Sequence, residues 1–215
     1  MYRRGLAVLV SAAALWAAAP AGATTSGPGG LPSEVQTALA QLRATGTLTA
    51  AEKRTLRAYP EIAAGVPDPD SAVPLPGRTE PAAGRDGMRA RESADGSFTN
   101  GEGCWITRTG VRKRSLLGFT QFDYLARIDY CVERGKVTSV HQRYHYLENA
   151  DGVSYLRGYH NSSPHVSGVG GTRADVAIHG FVELCTIKVG CYASLYPKVE
   201  MVISGTGRAD WKAEI

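Results

Sequence analysis

From residue 97 onward the chain alternates apolar and polar positions with a period of two. Val140, Gln142, Tyr144 and Tyr146 alternate with His141, Arg143, His145 and Leu147. Ala174, Val176 and Ile178 alternate with Asp175, Ala177 and His179, and Val199, Met201 and Ile203 with Glu200 and Val202. Successive side chains of a strand point to opposite faces, so each run predicts a half-buried strand. Turn chemistry separates the runs at Arg134-Gly135, Asn149 to Gly152, Asn161 to Pro164, Gly168 to Gly171 and Gly205-Thr206-Gly207. Short strands so spaced, with no long helical pattern between them, predict a mainly β fold: an antiparallel β-sandwich or barrel over residues 97–215.

Two other patterns precede it. Residues 24–59 read as a helical segment. Ser33 with Gln36 three places on suggests a capping box, Val35, Ala38, Leu39 and Leu42 recur at helical spacing, and Gly46 is placed to end the helix. Thr49 with Glu52 starts a second helix that Pro60 closes. Two helices of about three turns each cannot stand alone, so this hairpin docks on something or stays partly mobile; a plain N-terminal extension is the preferred reading and a removable pro-segment the alternative. Residues 60–96 hold six of the chain's eleven prolines, interleaved with glycines. Such a composition reads as a semi-extended linker.

The extreme N-terminus adds a location. Arg3 and Arg4, the apolar run from Leu6 to Ala19 and the small residues Ala21-Gly22-Ala23 have the layout of an export signal over residues 1–23, with Thr24 as the mature start. The run is short for a bilayer span, and no later segment is apolar enough to cross a membrane. The chain has 24 Lys and Arg against 20 Asp and Glu, and loss of Arg3 and Arg4 with the leader leaves a formal charge of +2. The tightest basic cluster, Arg112-Lys113-Arg114, has the ordinary reading of a solvated turn, and nucleic acid is not an expected partner.

Four cysteines in an exported chain read as two disulfides, which removes the most reactive side chains from the catalytic candidates. Three connectivities are open, and the local one is preferred: Cys104 with Cys131, and Cys185 with Cys191. Six residues of straight strand would separate Cys185 from Cys191 by ~20 Å. A disulfide needs less than about 7 Å, so this pairing requires a turn between Thr186 and Gly190. Loop entropy gives the two closures about 3.5 and about 2.4 kcal/mol respectively.

Cys104-Trp105, Leu117-Gly118-Phe119, Tyr130-Cys131 with Gly135, and the later Cys185…Gly190-Cys191, Tyr196-Pro197 and Gly205-Thr206-Gly207 resemble a pattern in uncharacterised secreted proteins of actinobacteria. The resemblance covers roughly residues 97–215. It implies an exported, β-rich, disulfide-stapled domain and carries no activity with it.

Catalytic and metal signatures do not emerge. His141 and His145 share a strand but sit ~13 Å apart along it, too far to ligate one ion together. His160 and His165 flank a turn and could approach each other, but no Cys or acid has recognised ligand spacing around them. No G-x-S-x-G surrounds a serine; Ser167 and Ser204 lie in turns, and the Gly168 to Gly171 run lacks the phosphate-loop pattern. No catalytic residue, metal or cofactor is assigned.

Tyrosine is the remaining signal. Six of the ten tyrosines fall between Tyr124 and Tyr159. Cross-strand packing is the ordinary use of tyrosine in strands. Rigid aromatic area also serves recognition, and Tyr144 and Tyr146 share a face, which makes them the candidate binding residues. The expected function is a secreted, non-catalytic extracellular binding or interaction module for a glycan or protein. The alternatives are a secreted hydrolase of unrecognised family and a protease inhibitor presenting Lys188 in the Cys185–Cys191 loop. The export reading predicts that intact mass of the secreted protein begins at Thr24; a secreted species retaining residues 1–23 would refute it.

Overall fold

The computed structural model describes residues 30–82, 91–186 and 190–215. The expected leader and Lys188 lie outside them. Three helices come first: α1 (Ser33–Thr45), α2 (Ala50–Arg57) and α3 (Pro60–Ala63). Twelve strands follow among the described residues: β1 (Val73–Pro81), β2 (Arg91–Ser93), β3 (Ser97–Thr99), β4 (Gly103–Arg114), β5 (Thr120–Glu133), β6 (Lys136–Glu148), β7 (Ser154–Tyr159), β8 (His165–Ser167), β9 (Arg173–Thr186), β10 (Gly190–Leu195), β11 (Lys198–Ser204) and β12 (Arg208–Glu214). They form two antiparallel sheets. The first runs β2-β1-β4-β5-β6; the second runs β10-β9-β11-β12-β3, with β7 and β8 also on β9. The mainly β, sandwich-like expectation is met.

The two-residue period sorts the sandwich. In β5, Phe122, Tyr124, Ala126, Ile128, Tyr130 and Val132 are buried, and β4 gives Trp105, Thr107, Thr109, Val111 and Lys113 to the same inner face. Opposite them stand Ala174, Val176, Ile178, Val182 and Leu184 of β9 and Val199, Met201 and Ile203 of β11. The predicted inner residues of β9 and β11 are all there.

The pattern fails in β6, for a local reason. Its register against β5 shifts between Ile128↔Arg143 and Tyr130↔Val140. One extra residue in a strand reverses the facing of everything beyond it. Val140 therefore packs toward the core, while Tyr144 lies opposite Arg127 on the outer face. The expectation that Val140 shares a face with Tyr144 and Tyr146 is corrected.

The helical front is part of the same body. Val35, Ala38, Leu39 and Leu42 are the buried residues of α1, as their spacing predicts, and they belong to one hydrophobic cluster with the strand residues. Gly46 ends α1 in a left-handed conformation, and Thr49 with Glu52 forms a complete capping box on α2. Ser33 does not cap α1: it is already helical, Pro32 holds the N-cap, and the Gln36 side chain reaches back to the Leu31 carbonyl at 2.8 Å. Pro60 both follows α2 and opens α3, where its missing N–H costs nothing.

The stretch from 60 to 96 contains ordered elements where a linker was expected. α3, β1 and β2 all lie in it, and β1 pairs along β4. Proline is tolerated because β2 covers only Gly77 to Thr79 of β1. Pro74 and Pro76 precede that segment, where β1 is an edge strand, and the register slips between Leu75 and Arg78. Polar ties fasten this region to the sandwich. Asp68 N–H donates to the Arg114 carbonyl, and the Gly65 carbonyl accepts from Gln121 Nε2 at 2.5 Å and Tyr192 Oη at 2.6 Å.

The basic triplet is not a solvated turn either, since all three residues lie in β4. Arg112 makes a bidentate pair with the buried Asp123 at 2.7 and 2.8 Å, and Lys113 is buried with its ammonium donating to the Pro69 carbonyl at 3.1 Å. Burial pushes the Lys113 pKa down to about 8, against the opposing charges of Asp68 and Asp70.

Tyr124 shows how closely the sheets approach. A Cβ added at Gly180 of β9 would stand 2.5 Å from the Tyr124 ring. Gly180→Ala is expected to destabilise the protein by about 1–3 kcal/mol, because a fully packed ring has nowhere to move. Gly152→Ala, whose Cβ would meet nothing within 4 Å, should change stability by less than about 0.5 kcal/mol. Urea denaturation of both variants checks this, and equal stabilities would contradict the close approach.

Candidate binding face on the first sheet

The outer face of the first sheet is built from alternate residues of β1, β4, β5 and β6. Arg108 faces Arg127 across β4 and β5, and Arg127 faces Tyr144 across β5 and β6; Leu125 faces Tyr146 in the next pair along. The Cys104–Cys131 disulfide joins directly opposed residues on this same face, fixing the register of β4 against β5.

Tyr144 and Tyr146 come together as expected, their ring centroids 5.9 Å apart. Tyr144 is 38% exposed and Tyr146 half-buried. Arg127 lies beside them. Its Nε and Nη2 donate to the two carboxylate oxygens of Asp129 at 2.8 and 2.7 Å, its Nη1 donates to Tyr144 Oη at 3.2 Å, and its guanidinium carbon is 5.6 Å from the Tyr144 ring centroid. The hydrogen bond to Asp129 raises the Arg127 pKa still further above its ordinary value. Arg108 is likewise held by Glu80, at 2.6 Å. Burial raises the Tyr146 hydroxyl pKa above its ordinary value, so Tyr146 offers a neutral O–H. The face thus presents aromatic area flanked by donors and acceptors whose geometry is already fixed by ion pairs.

The other tyrosines divide by depth. Tyr124 and Tyr130 are core residues, whereas Tyr155, Tyr159 and Tyr196 are exposed. A second aromatic group, on the second sheet, stacks Phe181 on Tyr196 at 5.5 Å with His160 4.4 Å from Tyr196. The alternation of β9, followed past His179, would have placed Phe181 outward; the contact with Tyr196 depends on the chain beyond β10 and has no local signature.

The histidines form no metal-ligand group among the described residues, although His160 N–H donates to the His179 carbonyl at 3.0 Å. His141 and His165 are exposed, and His160 is taken up by Tyr196. His145 is bound into the rim between the sheets: its ring stacks on Tyr159 at 4.0 Å and its Nδ1 is 2.8 Å from Tyr124 Oη. Ser204 bonds Thr206 within its turn at 2.6 Å. One group of metal-ligand type occurs among the described residues, Glu183 with Cys185 and Cys191, but both sulfurs are bonded to each other and offer no thiolate. A groove of about 570 Å³ lies between the helices and the second sheet; Leu31, Leu39, Ile62, Val66, Val153 and Tyr192 line it with Glu61 and Cys185. No histidine lines it among the described residues.

Both disulfides pair as preferred, Cys104–Cys131 and Cys185–Cys191. Thr186 and Gly190 are paired antiparallel, as the required reversal demands, and residues 187–189 lie outside the described residues. Two disulfides suggest an oxidising, extracellular environment. Among the described residues no helix is long and apolar enough to cross a membrane. A scan of family models, a search of curated proteins and a search of solved structures return no match to this chain.

Burial pushes the His145 pKa below its ordinary value, and His179 is lowered by burial and by Lys198. A depressed histidine favours the folded state while neutral. That contribution is present above the unfolded pKa of about 6.5 and is lost as pH falls through it toward the folded value. Denaturation midpoints should therefore fall between pH 7.5 and 5. His145→Gln, which retains an acceptor for Tyr124, should show a smaller fall, and an identical fall would exclude His145 from this role.

Proposed function

We propose that the protein is an exported, non-catalytic binding module that recognises a neutral glycan through the outer face of the first sheet. The observation that carries the reading is the Tyr144–Arg127–Asp129 arrangement. An exposed ring offers a flat apolar surface to the C–H face of a sugar, and a guanidinium and carboxylate locked beside it offer donors and acceptors to hydroxyl groups. Because that geometry exists before the ligand arrives, little side-chain freedom is lost on binding.

Charge favours a neutral ligand. Arg108, Arg112 and Arg127 each sit against a carboxylate, namely Glu80, Asp123 and Asp129. A sulfated or phosphorylated polymer would have to compete with these carboxylates for the same donors. The export pattern at residues 1–23 and the two disulfides support a reading in which such encounters occur outside the cell. The hydrolase alternative is less favoured, since the groove between the helices and the second sheet brings Glu61 together with apolar side chains and a disulfide cysteine.

Affinity electrophoresis against neutral and acidic polysaccharides, followed by calorimetry with oligosaccharides of any that retard the protein, tests the reading. Retardation by a neutral polysaccharide is expected. Tyr144→Ala should weaken binding by at least about tenfold, or roughly 1.4 kcal/mol, with thermal stability nearly unchanged. Undiminished binding by Tyr144→Ala, or retardation by acidic polymers only, would overturn it.

A further inference from the structure

The two disulfides have different surroundings. Cys104–Cys131 joins the interior strands β4 and β5 of the first sheet, flanked by β1 and β6. Cys185–Cys191 joins β9 to β10, a strand at the border of the second sheet, and closes a span of six residues against 27 for the other. A guanidinium stands against one of its sulfurs: Arg157 Nη2 is 3.8 Å from Cys185 Sγ. Arg157 is held there by Glu183, which accepts from its Nε at 2.8 Å, and by the Tyr155 ring, 5.3 Å away. The Glu183 carboxylate, which would otherwise oppose negative charge on sulfur, is engaged by the same guanidinium.

We infer that Cys185–Cys191 is a thiol-exchange site at which a low-molecular-weight thiol adds to Cys191 and releases Cys185. The attacking thiolate forms a bond to Cys191 Sγ as the Cys185–Cys191 bond breaks, and the electron pair of that bond departs on Cys185 Sγ, beside Arg157. The products are a mixed disulfide at Cys191 and a thiolate at Cys185. A second thiol can take the small-molecule sulfur from Cys191, giving the oxidised small-molecule disulfide and a dithiol protein. Leaving-group stability governs which sulfur is expelled, and a fixed cation lowers the energy of the thiolate it faces. Cys185 also lines the groove between the helices and the second sheet, so the opened site alters one wall of that groove.

The oxidised full-length secreted protein is incubated with graded reduced glutathione, quenched with iodoacetamide and mapped by peptide mass spectrometry. Expected are glutathione on Cys191 and carbamidomethyl on Cys185 while Cys104–Cys131 stays intact. Arg157→Ala should slow opening about threefold, as a rise of about one unit in the leaving-group pKa would give, and Arg157→Lys should keep most of the rate. The Cys104–Cys131 bond in the same sample reports whether the variant is folded. Opening of Cys104–Cys131 first, glutathione found on Cys185, or an Arg157→Ala rate equal to the parent's in folded protein would each overturn the inference.

Discussion

The sandwich depends on the contact between the Tyr124 ring and Gly180. Tyr124 is fully buried, and the space its ring occupies exists only because the facing residue of β9 has no side chain. From that position its hydroxyl reaches His145 of β6, so one residue of β5 touches both the opposite sheet and the neighbouring strand. Interiors packed this densely transmit a misfit to their surroundings. With the spacing of the sheets set here, the alternating residues of β5, β9 and β11 fall into one continuous core, and the helices close its end through Leu39 and Leu42.

One consequence is a separation of tasks between the two faces of the first sheet. The inner face carries the apolar contacts that hold the domain. The outer face is released from that duty, and its charged residues pair along and across strands: Arg127 with Asp129, Arg108 with Glu80, Arg112 with Asp123. All three pairs are at least partly buried, so desolvation of both partners offsets much of their attraction. Their effect is to hold long side chains in one geometry, which suits a recognition surface better than mobile arginines would.

How much of this was legible in the sequence depends on how local the cause is. The helix ends at Gly46 and Thr49 and the inner residues of β9 and β11 follow from spacing alone. The preferred cysteine pairing followed from sequence proximity, and each bond joins directly opposed residues of adjacent strands. The misses have non-local causes. Pro74 and Pro76 argue against a strand until it is known that β1 is an edge at those positions and slips in register beside them. Lys113 reads as a solvated charge until Pro69, 44 residues away in sequence, is seen to accept from it. The Tyr144–Tyr146 pair was found, but its orientation is set by a register shift in β6 that the alternation does not announce. Arg127 and Asp129, which give that face its chemistry, had no motif to mark them; charged positions two apart between Ala126, Ile128 and Tyr130 were the only available signal.

Both disulfides lie on outward positions of strands that are already hydrogen-bonded to each other. The buried core therefore contains no sulfur bridge, and neither bond spans the gap between the sheets. Loop-entropy arguments treat a disulfide as a restraint on the unfolded chain, and that effect remains. In the folded state these bonds do something narrower: they hold register, at β4–β5 beneath the tyrosine face and at β9–β10 beside the groove. A bond that holds register on a surface can open without exposing the interior. This is why the guanidinium beside Cys185 can matter for chemistry, whereas the same charge beside a core disulfide would meet no thiol.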